Sequence, residues 1–299
     1  MSNLSQFLST ASGLDKSLMI IQYPAKFIVP LLLLLAKKSR GNKEIKRGLI
    51  GFAGDVGRLS ATISDTRTMM RLLGELAFQL CLCLSSPLPL SAEPGPTPHP
   101  SSLTGIISLL PSLPSLLDPK TPLIQSLQLI SLLIYYPLEN LTYLSSHDIF
   151  KLSPARELRW SVWSCRAWAA YVGLDFITLW ERWQGLKVRE RELLDQRKRV
   201  EEQASQTTSE KPSSLVSSED ETSSTSSPTL SALHNSEIKL QALRTSFLED
   251  LVSNIGYAPL TIHWSLYSGL WTNPAWTGVF GTMACLAGIR RGWRGMPVV

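Results

Sequence analysis

Seven apolar residues, Leu14, Leu18, Ile21, Ala25, Ile28, Leu32 and Leu35, return at spacings of three and four. Such spacings bring side chains back to one face of a helix. The stretch is therefore predicted to be a helix with a greasy stripe that must be covered by something. Asp15, Gln22 and Lys26 gather on a narrow strip about 100° away, by the 3.6-residue turn. Residues 27–36 are all apolar or proline. That run is shorter than the roughly 20 residues a bilayer span takes, but it is long enough to lie in the interface. Residues 37–47 then carry Lys37, Lys38, Arg40, Lys43, Lys46 and Arg47 against one acid, Glu44. An apolar-faced helix followed by a polybasic run suits an anionic cytosolic leaflet. In a soluble chain the same pattern is a core helix followed by a solvated loop.

Composition separates these two readings. Hydrophobic residues make up 44% of the chain and charged residues 18%, against about 25% charged in ordinary soluble domains. The mean hydropathy is +0.06. The chain is short of the groups that keep a surface wet, and it reads as membrane-associated. Its net charge of +5 is too diffuse to point to nucleic acid. Cys81, Cys83, Cys165 and Cys285 form no disulfide framework and fit a reducing compartment. Residues 1–7 lack the basic start and apolar core of a secretory leader, so internal segments are expected to place the protein on a membrane.

Two stretches break the pattern. Residues 85–122 contain ten of the nineteen prolines, and proline removes a backbone donor and ends helices, so a loop is expected. Residues 205–231 are mostly Ser and Thr, within a linker set at 200–233 that cannot bury enough apolar area to offset its ordering entropy. The remainder shows helical rather than two-residue periodicity. The expected fold is all-α: a membrane-associated helical bundle with an N-terminal amphipathic region at 1–84. A central helical region at 123–199 and a membrane-anchoring region at 234–299 complete it.

Within 43–84, Gly48, Gly51, Gly54 and Gly57 recur every three residues. They lack the G-x-G of a nucleotide-binding loop and predict close helix packing or a frayed start. Residues 160–183 form a candidate span, with Trp160 and Trp163 about 30 Å from Trp180 and Trp183. Arg166 and Asp175 lie inside it, too far apart to pair within one helix, and an amphipathic bundle helix satisfies the same pattern. The strongest membrane candidate by sequence is the C-terminal block from Tyr257 to Trp293, whose residues 275–289 are uncharged and rich in small residues. Gly278, Gly281, Ala284 and Gly288 there are expected to let helices approach closely in lipid. Asn273-Pro274 separates 275–289 from 257–270, giving a short tilted span or a re-entrant hairpin. Arg290, Arg291 and Arg294 follow it. With the polybasic 37–47, they predict that both termini are cytosolic and that the number of crossings is even.

No catalytic signature is present in the sequence: there is no G-x-S-x-G, no H-E-x-x-H and no P-loop. Cys81-x-Cys83 supplies two of the four ligands of a structural zinc site. His99, His147, His234 and His263 fall in different segments. Glu139 and Asp148 read as isolated acids near helix ends, and the mixed-sign run 187–202 reads as a solvated helix face. No enzyme, cofactor or metal is expected.

Four short motifs in order carry a resemblance. They are Leu4-Ser5-Gln6-Phe7-Leu8 with Gly13-x-Asp15-Lys16 and Ile21-Gln22-Tyr23; Arg58-Leu59-Ser60 with Ser64-Asp65-Thr66-Arg67 and Arg71-Leu72; Tyr135-Tyr136-Pro137-Leu138-Glu139-Asn140 continuing to Leu144; and Gly278-Val279-Phe280-Gly281 with Trp293. Together the chain resembles the peroxin-11 family of peroxisomal membrane proteins, and its long insertions suggest a divergent, fungal-type branch. The resemblance implies a peroxisomal membrane protein that promotes elongation and fission. It would insert an amphipathic helix into the cytosolic leaflet, associate with itself or a paralogue, and act with the fission machinery. A metabolite channel lined by Arg166 and Asp175, and a non-catalytic helical adaptor, are the competing readings. Pro24 and Pro30 predict a break in the inserting helix.

Overall fold

The computed structural model describes residues 3–39, 42–84, 123–209 and 226–294, with side chains outside 3–4, 9, 11, 73–84, 203–209 and 226–230. The chain is all-α. Seven helices are described: α1 (Asn3–Ser9), α2 (Ala11–Lys38), α3 (Lys43–Leu84), α4 (Leu123–Ser146), α5 (Pro154–Ser209), α6 (Ser226–Ser265) and α7 (Pro274–Arg294). The expected proline-rich loop lies outside the described residues, as does 210–225 of the Ser-rich stretch. Helix continues on both sides of the latter, to Ser209 and from Ser226.

Two compact units emerge, one of residues 1–176 with 250–299 and one of 177–249. In the first, Thr10 caps α2 by accepting from the Gly13 N–H at 3.0 Å. Gly13 is required there: a Cβ would sit 2.0 Å from the Phe7 carbonyl oxygen. From this cap α2 runs unbroken through Pro24 and Pro30, contrary to the expected interruption. Each proline deletes one ladder bond, to the carbonyls of Ile20 and Lys26. The remaining bonds, and packing against both α3 and α7, keep the helix intact. Ser12–Lys38 is consequently the one helical stretch among the described residues long and apolar enough to cross a membrane. The sequence candidates 160–183 and 275–289 do not meet that standard. Arg166 and Asp175 dilute the first, and Arg290 and Arg291 follow the second after too few apolar residues.

The Asn273-Pro274 break is a helical hairpin. α6 ends at Ser265 and α7 starts at Pro274, a first-turn position that suits proline, with Asn273 Oδ1 accepting from the Ala275 N–H at 2.9 Å. His263 organises the turn: its Nδ1 accepts from the Leu270 N–H at 2.9 Å and its ring stacks on Trp271 at 4.2 Å. Gly269, at φ +67°, leaves space for that imidazole.

The core of this unit is aromatic. Tyr135 and Tyr257 each lie 5.7 Å from Trp168, which stacks on Trp264, and Tyr23, Tyr136 and Met19 close around them. In the second unit, Arg244 pairs with Glu190 at 2.7 Å and Arg197 reaches Glu237 at 3.9 Å. The crossed order of those numbers makes the two helical segments antiparallel. Lys187 sits 3.4 Å over the Trp183 ring.

Candidate functional site

The polarity of α2 is inverted relative to a soluble helix. Its polar residues Asp15 and Gln22 are buried, at 0% and 3% exposure, while Ile21, Ile28 and Leu35 are 49%, 38% and 46% exposed. Phe27, Leu31 and Leu34 flank that open apolar face, and Leu33, on the Asp15–Gln22 side by the helical step, is also exposed near the end of the helix. Of the other stripe residues, Leu14, Leu18 and Leu32 are half-buried and Ala25 is turned inward. The inversion extends to other helices. Leu123, Leu127, Ile130 and Ile134 on α4, and Trp276, Val279 and Leu286 on α7, are exposed. Soluble monomers rarely leave large apolar surfaces in water, and three helices here each present exposed large apolar side chains.

What lies inside is charged and paired. Arg67 donates from Nε to Asp15 Oδ1 at 2.7 Å and from Nη1 to Gln22 Oε1 at 2.5 Å. Ser60 donates to the Gln22 carbonyl at 3.1 Å. One helical turn on, Arg71 meets Glu139 at 3.0 Å, and the Tyr135 hydroxyl donates to the same carboxylate at 2.8 Å. Burial works against the Arg71 charge, but Glu139 and Tyr135 carry its pKa above the ordinary guanidinium value. Glu139, which reads from sequence as an isolated acid, is therefore an interhelical ion-pair partner. Asp175 accepts from Asn254 and, at 3.4 Å, from Gln128. Asp250 pairs with Arg291 between α6 and α7. Buried charges persist only when paired and hydrogen-bonded, and these pairs knit the helices from within while aliphatic side chains face outward.

The residues that meet here are those of the four sequence motifs. Asp15, Gln22 and Tyr23 come from the first, Ser60, Arg67 and Arg71 from the second, and Tyr135 and Glu139 from the third. The model of Peroxisomal biogenesis factor 11 (PEX11) matches residues 102–293. The chain belongs to this family. No curated protein and no solved structure matches the chain. The family acts in peroxisome proliferation and fission, and membership implies association with the peroxisomal membrane. The matched region begins after α3, so α1–α3 connect to it through contacts such as Arg71 with Glu139.

The fourth motif supplies the small residues that this family member packs against α2. A Cβ on Gly278 would lie 2.6 Å from the Phe27 backbone nitrogen and 2.8 Å from the Tyr23 carbonyl oxygen. One on Gly281 would enter the Tyr23 ring at 2.0 Å. Ala284, fully buried, faces Gly256 of α6, and Gly288 lies under the aliphatic stem of Lys16. Gly48 and Gly51 have nothing within 4 Å of an added Cβ, and α3 is continuous across them. The expected close packing or fraying there is replaced by an open helix face.

Lys37 and Lys38 end α2 and Lys43, Lys46 and Arg47 begin α3, all exposed; Arg40 lies outside the described residues. Cations in a final helical turn also complement its dipole. Burial pushes the Cys165 thiol up to about 11, which keeps it protonated and non-nucleophilic at neutral pH. Among the described residues no three His, Cys, Asp or Glu side chains cluster as metal ligands. His99 and the side chains of Cys81 and Cys83 lie outside them. The pairing of Arg67 with Asp15 is not evident from sequence, although opposite charges on otherwise apolar helices are the signal that marks such partners.

Proposed function

We propose that this chain elongates the peroxisomal membrane by laying the apolar face of α2 and the basic run at 37–47 into the cytosolic leaflet. Both termini stay in the cytosol, and self-association or pairing with a paralogue concentrates the effect before fission machinery acts. The observation that carries this reading is the inverted polarity of α2. A helix anchored to its own bundle through Asp15 and Gln22 presents Ile21, Phe27, Ile28, Leu31 and Leu35 outward. Area added to one leaflet alone bends a bilayer, and an interfacial helix adds it on one side. The channel reading draws less support, because Asp175 is held by Asn254 and Gln128, and Arg166 donates to the Ser265 carbonyl at 3.2 Å.

Full-length protein with Ile21, Ile28 and Leu35 changed to Asp should bind anionic liposomes at least about 100-fold more weakly. Burying each such side chain is worth about 1.5–3 kcal/mol. In cells the variant should leave peroxisomes short and unelongated. Wild-type-like co-sedimentation and elongation with this variant sink the wedge. Lys37, Lys38 and Lys43 changed to Glu should weaken binding to anionic vesicles more than to neutral ones. That difference should shrink as salt rises, since exposed charges are screened within about 10 Å at 0.1 M. An equal loss on both vesicle types would remove the basic run from the mechanism.

A further inference from the structure

We infer that a cleft bounded by α2, α3 and the α6–α7 hairpin binds a single-chain amphiphile bearing one negative charge, with the head inward beside Lys26, Arg71 and Trp168. The cleft has two parts that share Lys26, Ser64, Thr68 and Trp264. The outer part, about 600 Å³, has Ala25, Val29, Ala61 and Pro274 along its walls. The inner part, about 210 Å³, reaches Arg67, Arg71, Glu139 and Trp168. A polar chamber opening into a larger, mainly apolar cleft edged by Ser60, Asp65 and Thr277 matches a molecule with a small polar head and one hydrocarbon tail.

Two independent features indicate the sign of the head. First, three residues lining the inner chamber each keep a buried polar atom with no hydrogen-bond partner: Arg71 Nε, Trp168 Nε1 and Glu139 Oε2. Two of the three are donors, and buried groups of this kind are normally satisfied. Second, the charges are not all paired where the two spaces meet. Arg67 is matched by Asp15 and Arg71 by Glu139. Lys26 has the Tyr23 ring at 5.7 Å as its contact and no carboxylate partner among the described residues. Asp65, at the outer rim, is turned to His147 at 3.0 Å. Asp65 offsets Lys26 in the overall count but sits half-exposed at the outer rim, so Lys26 is left as the cation without an ion-pair partner at the junction of the two spaces, where the head of an amphiphile would sit. A carboxylate and a phosphodiester both satisfy this chemistry.

Full-length protein in dodecyl maltoside is titrated with palmitate, with 1-palmitoyl lysophosphatidylglycerol and with neutral 1-monopalmitoylglycerol, and adducts are counted by native mass spectrometry. The expected result is a saturable adduct of one anion per chain, bound about tenfold more tightly than the neutral compound, as a charged hydrogen-bond partner warrants. Lys26→Gln should remove that advantage with no change in thermal midpoint. Ser64→Trp, at the junction, should abolish uptake of all three. Preference for palmitate assigns the site to free carboxylates, and preference for the phosphodiester assigns it to a membrane lipid. Neutral binding equal to anionic binding, or a Lys26→Gln variant that binds like wild type, overturns the proposal and leaves a water-filled cleft. Binding in micelles requires no bilayer deformation, so its failure is distinguishable from failure of the wedge.

Discussion

Arg67→Ala is expected to lose about 3–5 kcal/mol of stability, enough to unfold much of the first unit. The Asp15 carboxylate is fully buried and the Arg67 side chain is nearly so. Removing the guanidinium leaves an uncompensated charge inside the bundle and orphans Gln22 as well. Total stabilities of domains are about 5–15 kcal/mol, so the loss is a large share. The double variant Asp15→Leu with Arg67→Met should recover most of it, because apolar replacement of a whole buried pair is often neutral or better. Thermal unfolding of the three proteins in the same detergent checks both statements. An Arg67→Ala protein that melts with wild type would mean that the pair does not hold α2 to α3.

The second large effect is steric. Gly278→Ala should destabilise by about 1–3 kcal/mol, the usual range for overpacking, and Gly281→Val by more. At Gly278 the obstacles are backbone atoms of Tyr23 and Phe27, which cannot rotate aside. At Gly281 the obstacle is the Tyr23 ring, itself buried. The changes are close enough to couple, so their sum is not the expected double-mutant loss. Gly51→Ala is the control. With open space around it in mid-helix, it should be neutral or stabilise by up to about 1 kcal/mol. Melting curves that rank Gly51→Ala below Gly278→Ala would contradict the close α2–α7 packing.

Much of the fold is legible in the sequence because helical periodicity is a local property. The stripe from Leu14 to Leu35, the Asn273-Pro274 break and the basic run at 37–47 all express backbone or side-chain preferences that need no partner. Three features depend on partners and escape a local reading. The continuity of α2 through Pro24 and Pro30 depends on neighbours holding the helix on two sides. The Arg67–Asp15 pair joins residues 52 apart in sequence, a separation that periodicity does not address. The three-residue spacing shared by Gly48 and Gly51 on α3 and by Gly278 and Gly281 on α7 conceals opposite roles, since Gly51 faces nothing and Gly278 faces a backbone. A helical wheel also identifies two faces of α2 without saying which meets protein. In a bundle whose exterior is greasy, the answer is the reverse of the soluble rule.

The two prolines of α2 have a mechanical consequence. The carbonyls they leave without ladder donors, Ile20 and Lys26, are about 9 Å apart along the axis and about 120° apart around it. Each is a point of lowered bending stiffness, and two such points facing different ways do not add into a single arc. Both points fall where α2 is flanked by α3 and α7, with the Tyr23 and Phe27 backbone against Gly278 and Ala36 buried further along. The straightness of α2 is therefore borrowed from its neighbours rather than stored in its own ladder.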